Sequence, residues 1–133
     1  MIKKIHHIGI AVQDIEAARS FFEENFRLES GTVESFGELN FSFMPVEETA
    51  LEILQSTTEK GVISKFIEKK GQGVHHITFE VDDIKAELDR LKEKGIVLIN
   101  EKPYVNAHNE LVAFIHPKST YGILIELLQS GSH

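Results

Sequence analysis

The amino-acid sequence predicts an α+β fold in which two tandem βαβββ modules form one curved mixed sheet around a cavity. Three observations predict it. The chain repeats itself, each copy opens with alternating apolar and small or polar residues, and an aspartate followed by helically spaced apolar residues comes next. A chain of 133 residues, 41% of them hydrophobic, is long enough for a single domain of this kind.

The repeat is clearest around a double histidine that begins both copies. Equivalent residues of the two copies are separated by 69 positions: His6 matches His75, His7 matches His76 and Asp14 matches Asp83. Further along, residues 44–45 match residues 116–117 at an offset of 72, and residues 51–55 match residues 125–129 at an offset of 74. The growing offset predicts a few additional residues in the second copy, which we place in the loop of residues 104–109.

Both copies continue in the same order. A β-branched alternating run forms the first strand, and Asp14 or Asp83 caps the helix that follows it. The apolar stripes of the two helices are Ile15, Ala18, Phe22 and Phe26 in the first copy and Ile84, Leu88 and Leu91 in the second. Gly95 is expected to end the second helix.

Three short strands complete each copy. They are expected around residues 31–35, 39–44 and 50–55, and again around residues 97–100, 111–116 and 123–128. A further helix is expected over residues 62–70, where apolar residues recur at helical spacing. We therefore divide the single domain into a first module (residues 1–55), a linker with a helix (56–73) and a second module (74–130). The Gly-Ser-His end, residues 131–133, is interpreted as the remnant of a tag.

Strand alternation selects one histidine of each pair. Successive side chains of a strand point to opposite faces, and the apolar set must pack under the helix. In the first strand that set contains His6, Ile8, Ile10 and Val12. His7 therefore points to the opposite, concave face, and the same argument selects His76 in the second copy. His6 and His75 are expected to be structural residues that face the helix.

One glutamate of each copy reaches the same concave face. Glu52 and Glu126 each lie between two apolar residues of the last strand, so their carboxylates point away from the apolar side. Two buried carboxylates are costly unless a cation neutralises them. The sequence therefore predicts one divalent metal ion, Co, Ni, Zn, Mn or Fe(II), bound by His7, Glu52, His76 and Glu126. Thiolate ligands and disulfides are excluded because the chain has no cysteine.

Charge and hydropathy exclude other classes of function. A net charge of -7 argues against nucleic-acid binding, which requires a basic face. No apolar run approaches the ~20 residues that span a bilayer, and no secretory leader opens the sequence. A cytoplasmic protein without membrane partners is the expectation.

At these residues the sequence resembles the vicinal oxygen chelate superfamily, which has a glyoxalase-like fold, and within it the methylmalonyl-CoA epimerases. The resemblance covers nearly the whole chain. Its segments are His-His-Ile-Gly-Ile-Ala-Val at residues 6–12, the linker helix running into the double histidine at residues 65–84, Ala-His at residues 107–108, Val-Ala-Phe-Ile-His-Pro-Lys-Ser at residues 112–119 and Gly-Ile-Leu-Ile-Glu-Leu at residues 122–127.

The resemblance implies an enzyme that interconverts (2R)- and (2S)-methylmalonyl-CoA by removing and returning the α-proton through a metal-stabilised enediolate. The family's ligands fall at the same four residues, with glutamine or glutamate at the position of Glu52. The resemblance also implies an acyl-CoA substrate and a homodimer. Glu126 is the first candidate for proton transfer. Some relatives carry a second glutamate where this chain has Asn40, and Glu38 is the alternative in the same strand phase.

Substrate contacts are expected at Asn40, His116 and Lys118, the last of these toward the CoA phosphates. Two departures from the family pattern bear on the substrate: Asn109-Glu110 follows His108 where relatives usually carry glycine, and Tyr121 replaces a small residue or lysine. Rival functions within the superfamily are a glyoxalase I-type lactoylglutathione lyase, a ring-cleaving dioxygenase and a non-catalytic ligand-binding protein of the bleomycin-resistance type.

Overall fold

The structure, a computed structural model, describes residues 1–131. Two residues of the predicted tag remnant, Ser132 and His133, lie outside the described residues. The chain contains two compact units, one formed by residues 7–75 and the other by residues 1–6 together with 76–133. None of the helices in the described part is both long and apolar enough to cross a membrane.

The first module follows the predicted βαβββ order. Its elements are β1 (Ile2–Ala11), α1 (Ile15–Phe26), β2 (Glu34–Phe36), β3 (Leu39–Val46) and β4 (Thr49–Ser56). Strand β1 pairs in parallel with β4, and β2, β3 and β4 form an antiparallel meander, which gives the order β2-β3-β4-β1. The linker helix α2 (Val62–Lys70) then ends at Gly71, whose φ is +79°.

The second module repeats this arrangement. Its elements are β5 (Gly73–Val81), α3 (Ile84–Glu93), β6 (Tyr104–Val105), β7 (Leu111–Ile115), a short 3-10 turn (Pro117–Ser119) and β8 (Ile125–Gln129). Strand β5 pairs in parallel with β8, and β6, β7 and β8 are antiparallel neighbours in the order β5-β8-β7-β6. The predicted α+β fold of two βαβββ modules is confirmed.

Each module has its main apolar core between its sheet and its own helix. In the first module, helix α1 packs on one face of the sheet through Ile15, next to the fully buried Met44 and Ile53. In the second, Ile84 and Leu88 of α3 pack in the same way. The opposite face of the first module carries a separate buried cluster. It consists of Ala11, Phe41 and Leu54 from the strands and Ile63 from α2.

The predicted helix caps are present in both modules. Asp14 accepts a hydrogen bond from the Ala17 amide, and Asp83 accepts one from the Ala86 amide, each at 3.1 Å. A glutamine at the end of the last strand adds a second cap: Gln55 accepts from the Ile15 amide at 2.8 Å, and Gln129 accepts from the Ile84 amide at 2.9 Å. The two glutamines match in the sequence repeat because they perform the same local task.

The second module departs from prediction at its edge strand. Residues 97–100 were expected to form a strand, but they contribute only an isolated bridge between Leu98 and Ile115. The regular edge strand is β6, which begins directly after Pro103. Asn100 explains the interruption. Its side-chain oxygen accepts a hydrogen bond of 2.8 Å from the Phe114 amide, so this amide of β7 is not bonded to the backbone of a neighbouring strand.

Two smaller expectations are also corrected. The register pairs Met44 with Leu51 and Ile115 with Ile125, so the structural equivalent of Met44 is Ile115 rather than His116. The structural equivalent of Pro45 is therefore His116, one residue before the predicted Pro117. Phe26, placed in the apolar stripe of α1, is 61% exposed and contacts the rings of Phe21 and Phe22 at the helix surface.

The buried Glu80 of β5, which faces two lysines of β1, gives a testable stability effect. Burial alone would raise the pKa of Glu80, but hydrogen bonds from Lys3 and Ser130 and the charge of Lys4 hold this pKa below its ordinary value. The Lys3 ammonium lies 3.2 Å from the carboxylate. A carboxyl group whose pKa is lowered by folding stabilises the protein above its unfolded pKa, and this contribution is lost as the pH falls through its folded pKa.

We therefore expect Lys3→Met to lower the free energy of unfolding at pH 7 by about 1 kcal/mol, because the Lys3 side chain is half-exposed and Lys4 and Ser130 still face the carboxylate. The difference from the wild type should shrink as the pH falls below the ordinary glutamate pKa of 4.5. Urea unfolding at neutral and acidic pH measures both effects. Lys85→Met, at an exposed position of α3, is the matched control. Equal stability of the two variants at pH 7 would rule out a stabilising role for the Lys3–Glu80 ion pair.

Candidate metal centre

The first module buries an imidazole beside a carboxylate on the sheet face opposite to α1. Gly9 of β1 is paired with Glu52 of β4, and His7 shares the phase of Gly9. The His7 Nε2 atom lies 3.2 Å from the Glu52 Oε1 atom, and both residues are less than a tenth exposed. Within this module the structure brings His7 and Glu52 together.

The second module contains the equivalent pair on the face opposite to α3. Thr78 of β5 is paired with Glu126 of β8, and His76 shares the phase of Thr78. The His76 Nε2 atom lies 3.6 Å from the Glu126 Oε1 atom, and both residues are buried. In addition, the Thr78 hydroxyl donates a hydrogen bond of 2.6 Å to the same carboxylate oxygen.

Each pair is flanked by a phenylalanine that the sequence analysis did not select. Phe43 is paired with Glu52 in the β3–β4 register, and Phe114 is paired with Glu126 in the β7–β8 register. The His7 ring meets the Phe43 ring edge-on at a centroid distance of 5.5 Å, and the His76 ring meets the Phe114 ring in the same way at 6.0 Å. These contacts fix the imidazole planes. An alignment of the third strands with the correct offset would have revealed the equivalence of the two phenylalanines.

The donor atoms fit a divalent cation. Two ligand atoms that share a first-row ion at about 2.0–2.2 Å, with bond angles near those of octahedral or tetrahedral sites, lie about 2.8–3.6 Å apart. The separations within the two pairs, 3.2 and 3.6 Å, fall in that range. His7, Glu52 and His76 are buried, and each offers one ligand atom of a type that binds such metals. Imidazole nitrogen and carboxylate oxygen together suit Zn, Ni, Co, Mn and Fe(II).

The structure does not bring Glu38 or Asn40 to Glu52. Asn40 is paired with Gln55, and Gln55 caps α1, so the β3–β4 register directs Asn40 to the α1 side of the sheet. Glu38 lies in the exposed turn before β3. The prediction treated Asn40 as the equivalent of a catalytic glutamate, but the phase of β3 that shares the face of Glu52 is that of Phe41 and Phe43.

Two other histidines have local structural contacts. The His116 Nδ1 atom accepts a hydrogen bond from the Lys118 amide at 3.0 Å and so caps the 3-10 turn. His116 thereby fixes the turn that carries the exposed Lys118. His116 and Lys118 were both predicted to contact the substrate. The ring of His75 meets the ring of Phe66 in α2 at 5.0 Å, so the helix that His75 faces is the linker helix and not α3.

His6 contacts a loop of the second module. Its Nε2 atom is 3.8 Å from the Glu110 carboxylate, which lies in the loop between β6 and β7. The backbone amides of His108 and Glu110 both donate to the Asn106 side-chain oxygen at 2.9 Å, which gives this loop a defined conformation. Asn109 adopts a φ of +60°, a left-handed conformation in which glycine is ordinarily favoured.

Comparison with known proteins decides the family. A family model described as the glyoxalase/bleomycin resistance protein/dioxygenase superfamily matches residues 6–114. The chain belongs to this superfamily. Among the members of this superfamily, the ethylmalonyl-CoA/methylmalonyl-CoA epimerase of Cereibacter sphaeroides is 38% identical over 133 residues, which cover 97% of this chain and 99% of the relative.

Solved structures of the same superfamily agree with this relationship. Methylmalonyl-CoA epimerase from Mycobacterium tuberculosis matches with a TM-score of 0.91 at 27% identity, covering 98% of this chain and 90% of the other. A methylmalonyl-CoA epimerase in complex with methylmalonyl-CoA and NH4+ matches with a TM-score of 0.90 at 27% identity, covering 99% and 97%. The family resemblance inferred from sequence and the prediction of an enzyme of epimerase type are confirmed.

Proposed function

We propose that the chain interconverts (2R)- and (2S)-methylmalonyl-CoA in a reaction that depends on a divalent metal ion bound by His7, Glu52, His76 and Glu126. The observation that carries this proposal is the buried imidazole–carboxylate pair that occurs once in each module. The epimerase names of the relatives supply the substrate class. A superfamily member that only sequesters a ligand has no need for two such buried pairs.

The chemistry requires a proton to leave one face of a carbon and a proton to return to the other. The α-carbon is bonded to a thioester and a carboxylate, and its proton is only weakly acidic. The negative charge that develops on the thioester oxygen when this proton is removed must therefore be stabilised. A divalent cation supplies that stabilisation as a Lewis acid. The residues of the chain bind and orient the substrate and transfer the proton.

Glu126 is the residue that we assign to proton transfer on one face. The Thr78 hydroxyl donates to Glu126 Oε1 and holds this carboxylate in one orientation. The strand neighbour of Glu52 is Gly9, which has no side chain to play this part. The difference between the two equivalent carboxylates favours Glu126 for proton transfer and leaves Glu52 as a ligand only.

Lys118 is our candidate for contact with the CoA phosphates, because it is exposed and its backbone amide is fixed by His116. We assign no proton-transfer role to Asn40, whose strand phase is opposite to that of Glu52, or to Glu38, which lies in the exposed turn before β3. We also propose that the active form is a homodimer, as the family implies. Sedimentation analysis of the purified chain tests the homodimer independently of activity.

The experiment that tests the function is proton exchange in deuterated water. We expect the metal-loaded protein to incorporate one deuteron at the α-carbon of methylmalonyl-CoA and to convert either pure epimer to the mixture. Mass spectrometry measures incorporation, and a coupled stereospecific assay measures inversion. The hemithioacetal of methylglyoxal and glutathione is offered in parallel, because a lactoylglutathione lyase would also act by proton transfer next to an oxygen held by a metal.

Protein treated with a chelator is the control for metal dependence, and added divalent ion should restore the rate. If the loaded protein exchanges no α-proton of methylmalonyl-CoA, the epimerase proposal is wrong. Isomerisation of the glutathione adduct without exchange of the thioester would instead identify a lyase of the same superfamily.

A further inference from the structure

We propose that the Tyr104 hydroxyl donates a hydrogen bond to the free carboxylate of the substrate, so that Tyr104 selects acyl thioesters that carry a second carboxyl group. This inference rests on the proposed epimerase function and assigns a substrate-contacting residue outside the metal ligands. It is carried by the strand register that places Tyr104 in the second module and by the exposure and hydrogen bonding of its side chain.

The strand register directs Tyr104 to the face of the sheet that carries Glu126. Tyr104 of β6 is paired with Val112 of β7, and two residues further along β7, Phe114 is paired with Glu126 of β8. Directly opposed residues of antiparallel strands share a face, and so do alternate residues of one strand. Tyr104, Val112, Phe114 and Glu126 therefore all project from the same side.

Tyr104 stands at the accessible border of that face. Val112 is 1% exposed, whereas Tyr104 is 45% exposed. Within residues 1–131 its hydroxyl makes no hydrogen bond to another residue. A half-buried phenol of this kind can donate to an incoming ligand without first losing a protein partner.

The charge at this position favours donation. Burial raises the pKa of Tyr104 above its ordinary value, and the negative charge of Glu126 raises this pKa further. The phenol therefore keeps its proton at neutral pH, which suits a hydrogen-bond donor and not a general base. A protonated phenol on the sheet face of Glu126 can donate a charge-assisted hydrogen bond to the substrate carboxylate.

Several ionic groups of this unit are engaged with other residues. Lys3 and Lys4 both face Glu80, at 3.2 and 3.9 Å from its carboxylate oxygens. The carboxylate of Glu110 is held by the Asn106 amide at 3.0 Å. The Tyr104 phenol differs from these groups, because its donor makes no hydrogen bond to another residue of the described part of the chain.

Tyr104→Phe is the direct test, because it removes the hydroxyl and keeps the ring. We expect the affinity for methylmalonyl-CoA, measured by calorimetry on the metal-loaded protein, to fall about 10- to 100-fold. Propionyl-CoA, which lacks the second carboxylate, should bind the variant and the wild type equally well. Propionyl-CoA binding by the same variant is the internal control, because a change in folding or in the CoA contacts would weaken both thioesters.

Each other outcome overturns the inference. Equal weakening for both thioesters would mean that the hydroxyl contacts the CoA portion, and no weakening for either would mean that it contacts neither. The α-proton exchange of the wild type separates this inference from the proposed function. Exchange by the wild type together with an unaffected Tyr104→Phe variant would disprove only the role of Tyr104, whereas absence of exchange by the wild type would disprove the epimerase itself.

Discussion

His76→Ala should lose the metal ion and the α-proton exchange activity together. The imidazole of His76 is buried, and its Nε2 atom faces the Glu126 carboxylate at 3.6 Å, so the substitution removes one nitrogen ligand. Loss of one ligand from a set of four should weaken metal affinity by at least about 100-fold. Elemental analysis after dialysis measures occupancy, and deuterium exchange measures the reaction.

His75→Ala is the matched control, because it removes the same side chain one residue earlier. His75 has the opposite strand phase and contacts Phe66 of α2. We expect this variant to keep its metal and to lose only about 1 kcal/mol of folding free energy, the typical value of an edge-to-face ring contact. Equal metal contents in the two variants would contradict the strand-phase assignment on which the candidate site depends.

Glu126→Gln should nearly abolish α-proton exchange while retaining part of the metal affinity. An amide oxygen can still bind a cation, but it cannot accept a proton, and loss of a general base typically slows a reaction by about 10²–10⁴-fold. The expected change is in kcat, with a smaller change in metal occupancy. Exchange rates at saturating metal and substrate isolate the effect on proton transfer from the effect on binding.

Glu52→Gln is the corresponding control in the first module. The chemical change is identical, and family relatives carry either glutamine or glutamate at this position. We therefore expect a much smaller loss of exchange than in Glu126→Gln. Equal losses in the two variants would contradict the assignment of proton transfer to Glu126 and not to Glu52.

The positions of the metal-ligating candidates were predictable because strand phase is a local property. A period of two residues, an apolar neighbour on each side and the repetition of the whole unit were sufficient to separate His7 from His6 and Glu52 from Leu51. The same holds for the helices, whose starts are set by Asp14 and Asp83 through hydrogen bonds to amides three residues later.

What the sequence did not predict depends on pairing between segments that are distant in the chain. The phase of Asn40 follows from its pairing with Gln55, and a one-residue error in the alignment moves every side chain of β3 to the other face. The edge strand of the second module was misplaced because Asn100 bonds β7 through its side chain, which no apolar pattern reveals. Phe43 and Phe114 were missed for the same reason as Asn40.

Tyr104 illustrates a third limit. Its sequence neighbourhood, between Pro103 and Val105, suggests only a loop, and its importance arises from a two-residue strand that pairs with β7. Such short strands are set by tertiary pairing and not by local propensity. The electrostatic influence of Glu126 on the Tyr104 hydroxyl follows from that pairing.

The central claim is that a single divalent ion is held jointly by the imidazole–carboxylate pairs of both modules. The most direct measurement is the number of metal ions bound per chain at saturation, combined with X-ray absorption of the bound metal. We predict one ion per chain with two imidazole nitrogens in its coordination sphere. Two ions per chain with one imidazole each, or no bound ion at all, would contradict the account.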